Sequence, residues 1–219
     1  DGRLDREERA RARAFIRALR ERRAEGAERA IPQTVVPGET DLWKLEPGPH
    51  EVAEVETYEL RDAERDKTIA LRITWPGGVR AEGAGARAAS SGPYPVIVFC
   101  HGALGSKDGG GPLAEHWASH GYVVIRPTFG DSISLMSEEE RRAVRSPVEL
   151  VNSPRVLGQW DDRPRDVTHV LDSLKVIERE VEGLDGRIDA ERIGVAGHSF
   201  GAHTTMLLAG LRLEHPMLG

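Results

Sequence analysis

One cysteine, Cys100, stands in 219 residues. A single thiol excludes an internal disulfide and a cysteine-based zinc site. No apolar run reaches the ~18 residues needed to cross a bilayer. Lysine is nearly absent, with Lys44, Lys67, Lys107 and Lys175 the only examples. The other basic residues are arginine, a bias that speaks of codon usage more than of function. Internal repeats are lacking too, so fibres and arrays are excluded. The formal charge of −6 disfavours a nucleic-acid partner. No signal segment opens the chain, which leaves the compartment open, with an extracytoplasmic one favoured. The length suits one α/β domain, or one domain plus an appendage. Oligomeric state is not encoded in any feature of the sequence.

Residues 1–30 are expected to be a helical segment, with Ala12, Phe15, Ile16 and Leu19 as a narrow apolar stripe among Arg and Glu at i,i+4 spacings. A proline- and glycine-punctuated connector follows. "HEVAEVETYELRD" and "KTIALRITWP" then alternate apolar and polar residues across a polar turn, predicting an antiparallel hairpin. Beyond a small-residue loop the pattern changes. "PVIVFC", "YVVIRP" and "RIGVAG" are continuous apolar runs, as expected of strands buried on both faces. Between and after them lie three helical patterns. These are "GPLAEHWASHG", "RPRDVTHVLDSLKVIEREV" with Val167, Val170, Leu171, Leu174 and Ile177 on one side, and "FGAHTTMLLAGLRL". Alternation of strands and helices predicts right-handed crossovers and a mostly parallel sheet, with the hairpin as its antiparallel start.

The third of these strands enters "GHSFG", which fits G-x-S-x-G. A strand that turns at once into a helix leaves no room for side chains at Gly197 and Gly201. The turn exposes the hydroxyl of Ser199 above the free N–H groups of the next helix, where partial positive charge suits a developing oxyanion. The first apolar strand ends in "FCHGALGSKDGGGP". His101 and Gly102 would set up this glycine-rich loop so that the N–H of Ala103, or failing that of Leu104, faces Ser199. The N–H of Phe200 would be the second donor. A phosphate-cradling loop is the competing reading, but no Gly-Lys-Ser/Thr follows at the required spacing.

From about residue 50 onward, "VIVFCHGALGS", "LAEHWASHGYVVIRP", "RPRDVTHVLDSL" and "DAERIGVAGHSFGAHTTMLLAG" resemble the N-terminal two thirds of an α/β-hydrolase. The likeness is to dienelactone-hydrolase-like and platelet-activating-factor-acetylhydrolase-like esterases, with bacterial polyester hydrolases and cutinases more distant. It implies an α/β-hydrolase domain over 31–219 that lacks its C-terminal strands, and serine carboxylic-ester hydrolysis through an acyl-enzyme. The substrate would be a small-molecule or polymeric ester, with no cofactor for the chemistry. Arg163 and Asp166 in "WDDRPRD" also look familial, and are read as packing and ion pairs near the site.

A serine hydroxyl needs a base, and in this fold the order is serine, then acid, then histidine. Only twenty residues follow Ser199, so the expectation is a fragment without the acid and histidine, inactive alone. His198 diverges from Ser199, and His203 lies one turn into the helix. His101 belongs to the loop, and His215 would sit about 24 Å along a continued helix.

"DGRLDREE" resembles the second half of an EF-hand loop, with Asp1, Asp5 and Glu8 as candidate Ca²⁺ ligands. The competing reading is a helix start capped by Asp5 with Glu8 three residues on. His116 and His120 have zinc-compatible i,i+4 spacing but no third ligand, and a surface or packing role is expected. Cys100 is expected to be a small buried core residue. Trp160 either lines an acyl pocket or covers the helix that follows it. Beside the esterase stands a second reading, a calcium-responsive or partner-binding module on a hydrolase scaffold.

Overall fold

The computed structural model describes residues 46–79, 92–144, 150 and 153–211. All of them fall within one compact unit, Leu45–Gly219. Asp1, Asp5 and Glu8 therefore lie outside the described residues, as does His215.

Five strands form one sheet: β1 (His50–Asp62), β2 (Lys67–Val79), β3 (Tyr94–Cys100), β4 (Val123–Pro127) and β5 (Ile188–Gly197). Their order is β1-β2-β4-β3-β5. The alternating sequence of the first two strands does form the antiparallel hairpin, closed by Lys67 opposite Asp62. The expectation of a mostly parallel sheet is met only in part among the described residues. β2 pairs antiparallel with β4, so only β3–β4 and β3–β5 are parallel. The direction of β2 against β4 is fixed by packing far along the chain, and nothing in either strand's own pattern encodes it.

Among the described residues the α-helices are α1 (Gly111–Ser119), α2 (Glu138–Ala143), α3 (Pro154–Leu157), α4 (Gln159–Asp172), α5 (Leu174–Glu180) and α6 (Phe200–Leu208). The single helix expected after residue 162 starts earlier and breaks at Ser173, whose N–H donates back to the carbonyls of His169 and Val170. The break changes direction without losing the apolar face. Val167, Val170, Leu174 and Ile177 all enter the core beneath Ile69, Leu71, Ile73, Val96 and Val98.

Burial differs among the three apolar strands. All of β4 is buried. In β3, Tyr94, Val96, Val98 and Cys100 are buried and the residues between them are half-covered. The expectation of burial fails at β5. It is the edge strand of the described sheet, longer than its apolar run, with Ile193 42% exposed. Apolar periodicity reports what a strand can bury, not which neighbour covers it. No described helix is long and apolar enough to cross a membrane.

β3 lies between its two parallel partners, β4 on one side and β5 on the other. The chain leaves β3 for one neighbour and later returns to the opposite one. A crevice at the C-terminal ends of the strands is expected at such a reversal. Two chain segments emerge there side by side, because Cys100 pairs with Gly197. One is the loop beginning at His101. The other is the turn holding Ser199.

Candidate active site

Ser199 has φ 54° and ψ −116°, a backbone that L-residues rarely adopt. It is exposed and immediately precedes α6. The glycines around it are required by close approach. A methyl group on Gly197 would stand 2.3 Å from the carbonyl of Gly201, and one on Gly201 would stand 2.0 Å from the carbonyl oxygen of Cys100. Both clashes are with backbone, which cannot swing away. Strain of this kind costs on the order of 1–3 kcal/mol and persists only where the surroundings impose it. Here the His198 N–H donates to the Cys100 carbonyl at 3.1 Å, tying the turn to the end of β3.

The loop after β3 reaches the same place. A Cβ on Gly102 would lie 3.4 Å from the Cβ of Ser199 and 3.2 Å from the His198 ring. Thus His101, Gly102, Gly197, Ser199, Phe200 and Gly201 are brought together. Neither the Ala103 N–H nor the Phe200 N–H donates to any described residue. Leu104 is different. It has φ 67°, and its N–H donates to Asp131 Oδ2 at 2.8 Å, so the second-choice donor is already engaged.

His101 is buried and fully used. Its Nε2 accepts from the Phe129 N–H at 3.1 Å, which leaves Nδ1 to carry the proton and donate to the Gly102 carbonyl at 2.6 Å. Burial, with the Arg163 charge adding to it, pushes the imidazole down to about 4. It is a neutral structural group, in keeping with its assignment to the loop.

Beneath the loop lies an ion pair that the sequence reading only half saw. Arg163 and Asp131 are both 0% exposed. The Arg163 guanidinium donates from Nε to Asp131 Oδ1 at 3.0 Å, and from NH2 to both carboxylate oxygens at 2.7 Å. It also donates to the carbonyls of His101 at 2.7 Å and Gly102 at 3.2 Å. Its Cζ lies 4.5 Å from the centroid of the Phe129 ring and 4.4 Å from that of Phe200. Arg163 stood out in the sequence as an ion-pairing residue. Asp131 did not, because it lies in a long polar excursion with no period or motif. Asp166, also fully buried, pairs with Arg65 at 2.8 Å and Lys67 at 2.7 Å at the base of the hairpin.

Trp160 packs edge-on against Phe200, with ring centroids 5.2 Å apart, and against His203 at 5.5 Å. It covers the start of α6 beside Ser199, not the helix on which it sits. Cys100 is buried, and burial raises its thiol to about 12. His116 and His120 stack on one another at 4.3 Å, and His120 Nδ1 lies 2.8 Å from the His116 carbonyl. Among the described residues no group of three or more potential ligands could hold a metal ion. A groove of about 520 Å³ lined by Val52, Glu54, Glu115 and His116 lies on the α1 side of the hairpin and involves none of the Ser199 residues.

Comparison with known proteins gives the same fold. The chlorophyllase family model matches residues 86–217. Chlorophyllase type 0 of Chenopodium album is 25% identical over 119 residues, covering 54% of this chain and 29% of that protein. Cutinase est1 of Thermobifida alba is 29% identical over 119 residues, covering 54% of this chain and 31% of that protein. The chain thus spans about a third of the length of these curated relatives. Among solved structures, the ferulic acid esterase from Streptomyces cinnamoneus superposes with a TM-score of 0.50 at 22% identity, covering 73% of this chain and 55% of that one. With the matched region taking in β3, β4, β5, the His101 loop and the Ser199 turn, the chain belongs to the chlorophyllase family of α/β-hydrolases.

Proposed function

We propose that the protein hydrolyses carboxylic esters through an acyl-enzyme on Ser199. The observation that carries this reading is the left-handed backbone at Ser199, held between two glycines that admit no side chain. A fold has no reason to maintain that strain for an ordinary surface serine. The names of the relatives, a chlorophyllase and a cutinase, agree with ester chemistry.

In this mechanism Ser199 Oγ attacks the ester carbonyl carbon and its proton passes to a base. The carbonyl oxygen becomes an oxyanion, stabilised by the Ala103 and Phe200 N–H groups, which no described residue occupies. The C–O bond to the alcohol then breaks, with the alcohol taking the proton back from the base. Water repeats the sequence on the acyl group and frees Ser199. His101 is excluded as the base, since both ring nitrogens are engaged and burial opposes its taking up a proton. Among the described residues no side chain hydrogen-bonds to Ser199 Oγ. The reading therefore assigns the base and its orienting carboxylate to protein outside the described residues. Substrate would lie over the C-terminal ends of β3 and β5. The exposed Ile133 and Leu135 stand beside the loop, anchored by the Ile133 N–H to the Leu104 carbonyl at 3.1 Å, and they favour an apolar ester.

Turnover of p-nitrophenyl butyrate by the full-length protein tests this. Ser199→Ala is expected to lower kcat by at least about 1,000-fold, since losing a serine nucleophile costs up to ~10⁶ elsewhere. A Ser199→Ala protein that keeps the native rate contradicts the reading.

A further inference from the structure

We infer that the buried Arg163–Asp131 pair aims the loop half of the oxyanion site, which makes both of them positioning residues for the reaction; this rests on the hydrolase reading above. The peptide joining Gly102 to Ala103 is trans and planar, so the Gly102 carbonyl and the Ala103 N–H point in opposite directions. Arg163 NH2 and His101 Nδ1 hold that carbonyl on the interior side. Ala103 N–H is then forced outward, away from the guanidinium. The next peptide is held by the other member of the pair, since the Leu104 N–H donates to Asp131 Oδ2. Each peptide flanking the Cα of Ala103 is thus tied to one half of a single fork-to-carboxylate bridge.

The same guanidinium lies against the Phe200 ring, so it also touches the residue offering the second N–H. One rigid group therefore contacts both donors' segments, one through hydrogen bonds and the other through a cation–π contact. Charge is not the working element. The arginine is neutralised by an aspartate at 2.7 Å, so little net field remains for the oxyanion. Geometry is the working element, because a planar fork can serve two carbonyls and two carboxylate oxygens at once. An ammonium at the end of a flexible stem cannot.

That contrast supplies the test. Arg163→Lys keeps the charge and loses the fork. In the full-length protein acting on p-nitrophenyl butyrate, kcat is expected to fall roughly 10- to 100-fold, below the loss from removing a donor outright. KM should stay within about two-fold, because the oxyanion exists only beyond the ground state. Affinity for a trifluoromethyl ketone, which adds to the serine as an oxyanion mimic, should fall by the same factor as kcat/KM. Near-UV circular dichroism confirms folding, and if Arg163→Lys does not fold, Asp131→Asn, which gives up one of the two acceptor oxygens shared by the Arg163 fork and the Leu104 N–H, is expected to lower kcat and ketone affinity together. A folded variant with native kcat and native ketone affinity overturns the inference, as does a loss confined to KM or to thermal stability. Failure of the hydrolase reading would look different: the native protein itself would neither turn over the ester nor bind the ketone.

Discussion

Arg163 and Arg126 are both buried arginines, yet their surroundings differ in completeness. Every guanidinium nitrogen of Arg163 has a partner, and its counter-ion Asp131 is as buried as itself. Arg126 shares Glu54 with Arg72, at 2.8 Å and 2.6 Å, and leaves its own Nε unpaired. Glu54 remains a quarter exposed. Burial lowers both guanidinium groups, opposed by Asp131 in one case and by Glu54 in the other. The difference follows location. Arg126 bridges strands in a sheet whose backbone ladder already fixes their positions. Arg163 holds a loop with no ladder, one that passes beside the Ser199 turn.

The largest expected effect is on Arg163→Met. It strands the Asp131 carboxylate in the interior and should destabilise the fold by about 3–5 kcal/mol, read from the denaturant midpoint. The double variant Arg163→Met/Asp131→Leu should recover only part of that stability: the stranded charge is gone, but the acceptor of the Leu104 N–H and the links from Arg163 to the His101 and Gly102 carbonyls are lost as well.

Next in size is the pH response of His101, which touches Arg163. Its folded value of about 4 lies below the ordinary 6.5, so the unfolded chain takes up a proton that the folded chain refuses. That contribution is present above the ordinary value and is lost as pH falls toward the folded one. Stability should drop by about 2 kcal/mol from about pH 7.5 to about pH 5, before most carboxylates titrate. His101→Gln should flatten that slope.

Arg126→Met should cost the least, about 1–2 kcal/mol, because Glu54 keeps Arg72 and access to water. A cost equal to that of Arg163→Met would erase the distinction between the two.

The parts of the fold readable in the sequence were those set by local rules. Alternation over His50–Asp62, interrupted where the register shifts after Glu51 and after Val55, located β1, because a half-covered strand tends to repeat every two residues. The Ser199 turn was readable because its steric demand falls on residues two positions away, where glycine is the only answer. Long-range choices were hidden. Asp131 meets Arg163 across 32 residues, and neither "PTFGDS" nor "WDDRPRD" carries a period that joins them. The antiparallel entry of β2 beside β4 and the exposure of β5 also depend on neighbours chosen by packing. The break at Ser173 was missed for a related reason: both halves bury the same face, so the apolar pattern runs through it unbroken.

The central claim concerns one hydroxyl. Intact-mass and peptide mass spectrometry of the full-length protein after treatment with diisopropyl fluorophosphate tests it most directly. The expected result is a single phosphoryl adduct on Ser199 that is absent from a folded Ser199→Ala variant; a folded native protein left unmodified, or an adduct that persists in the variant, would contradict it.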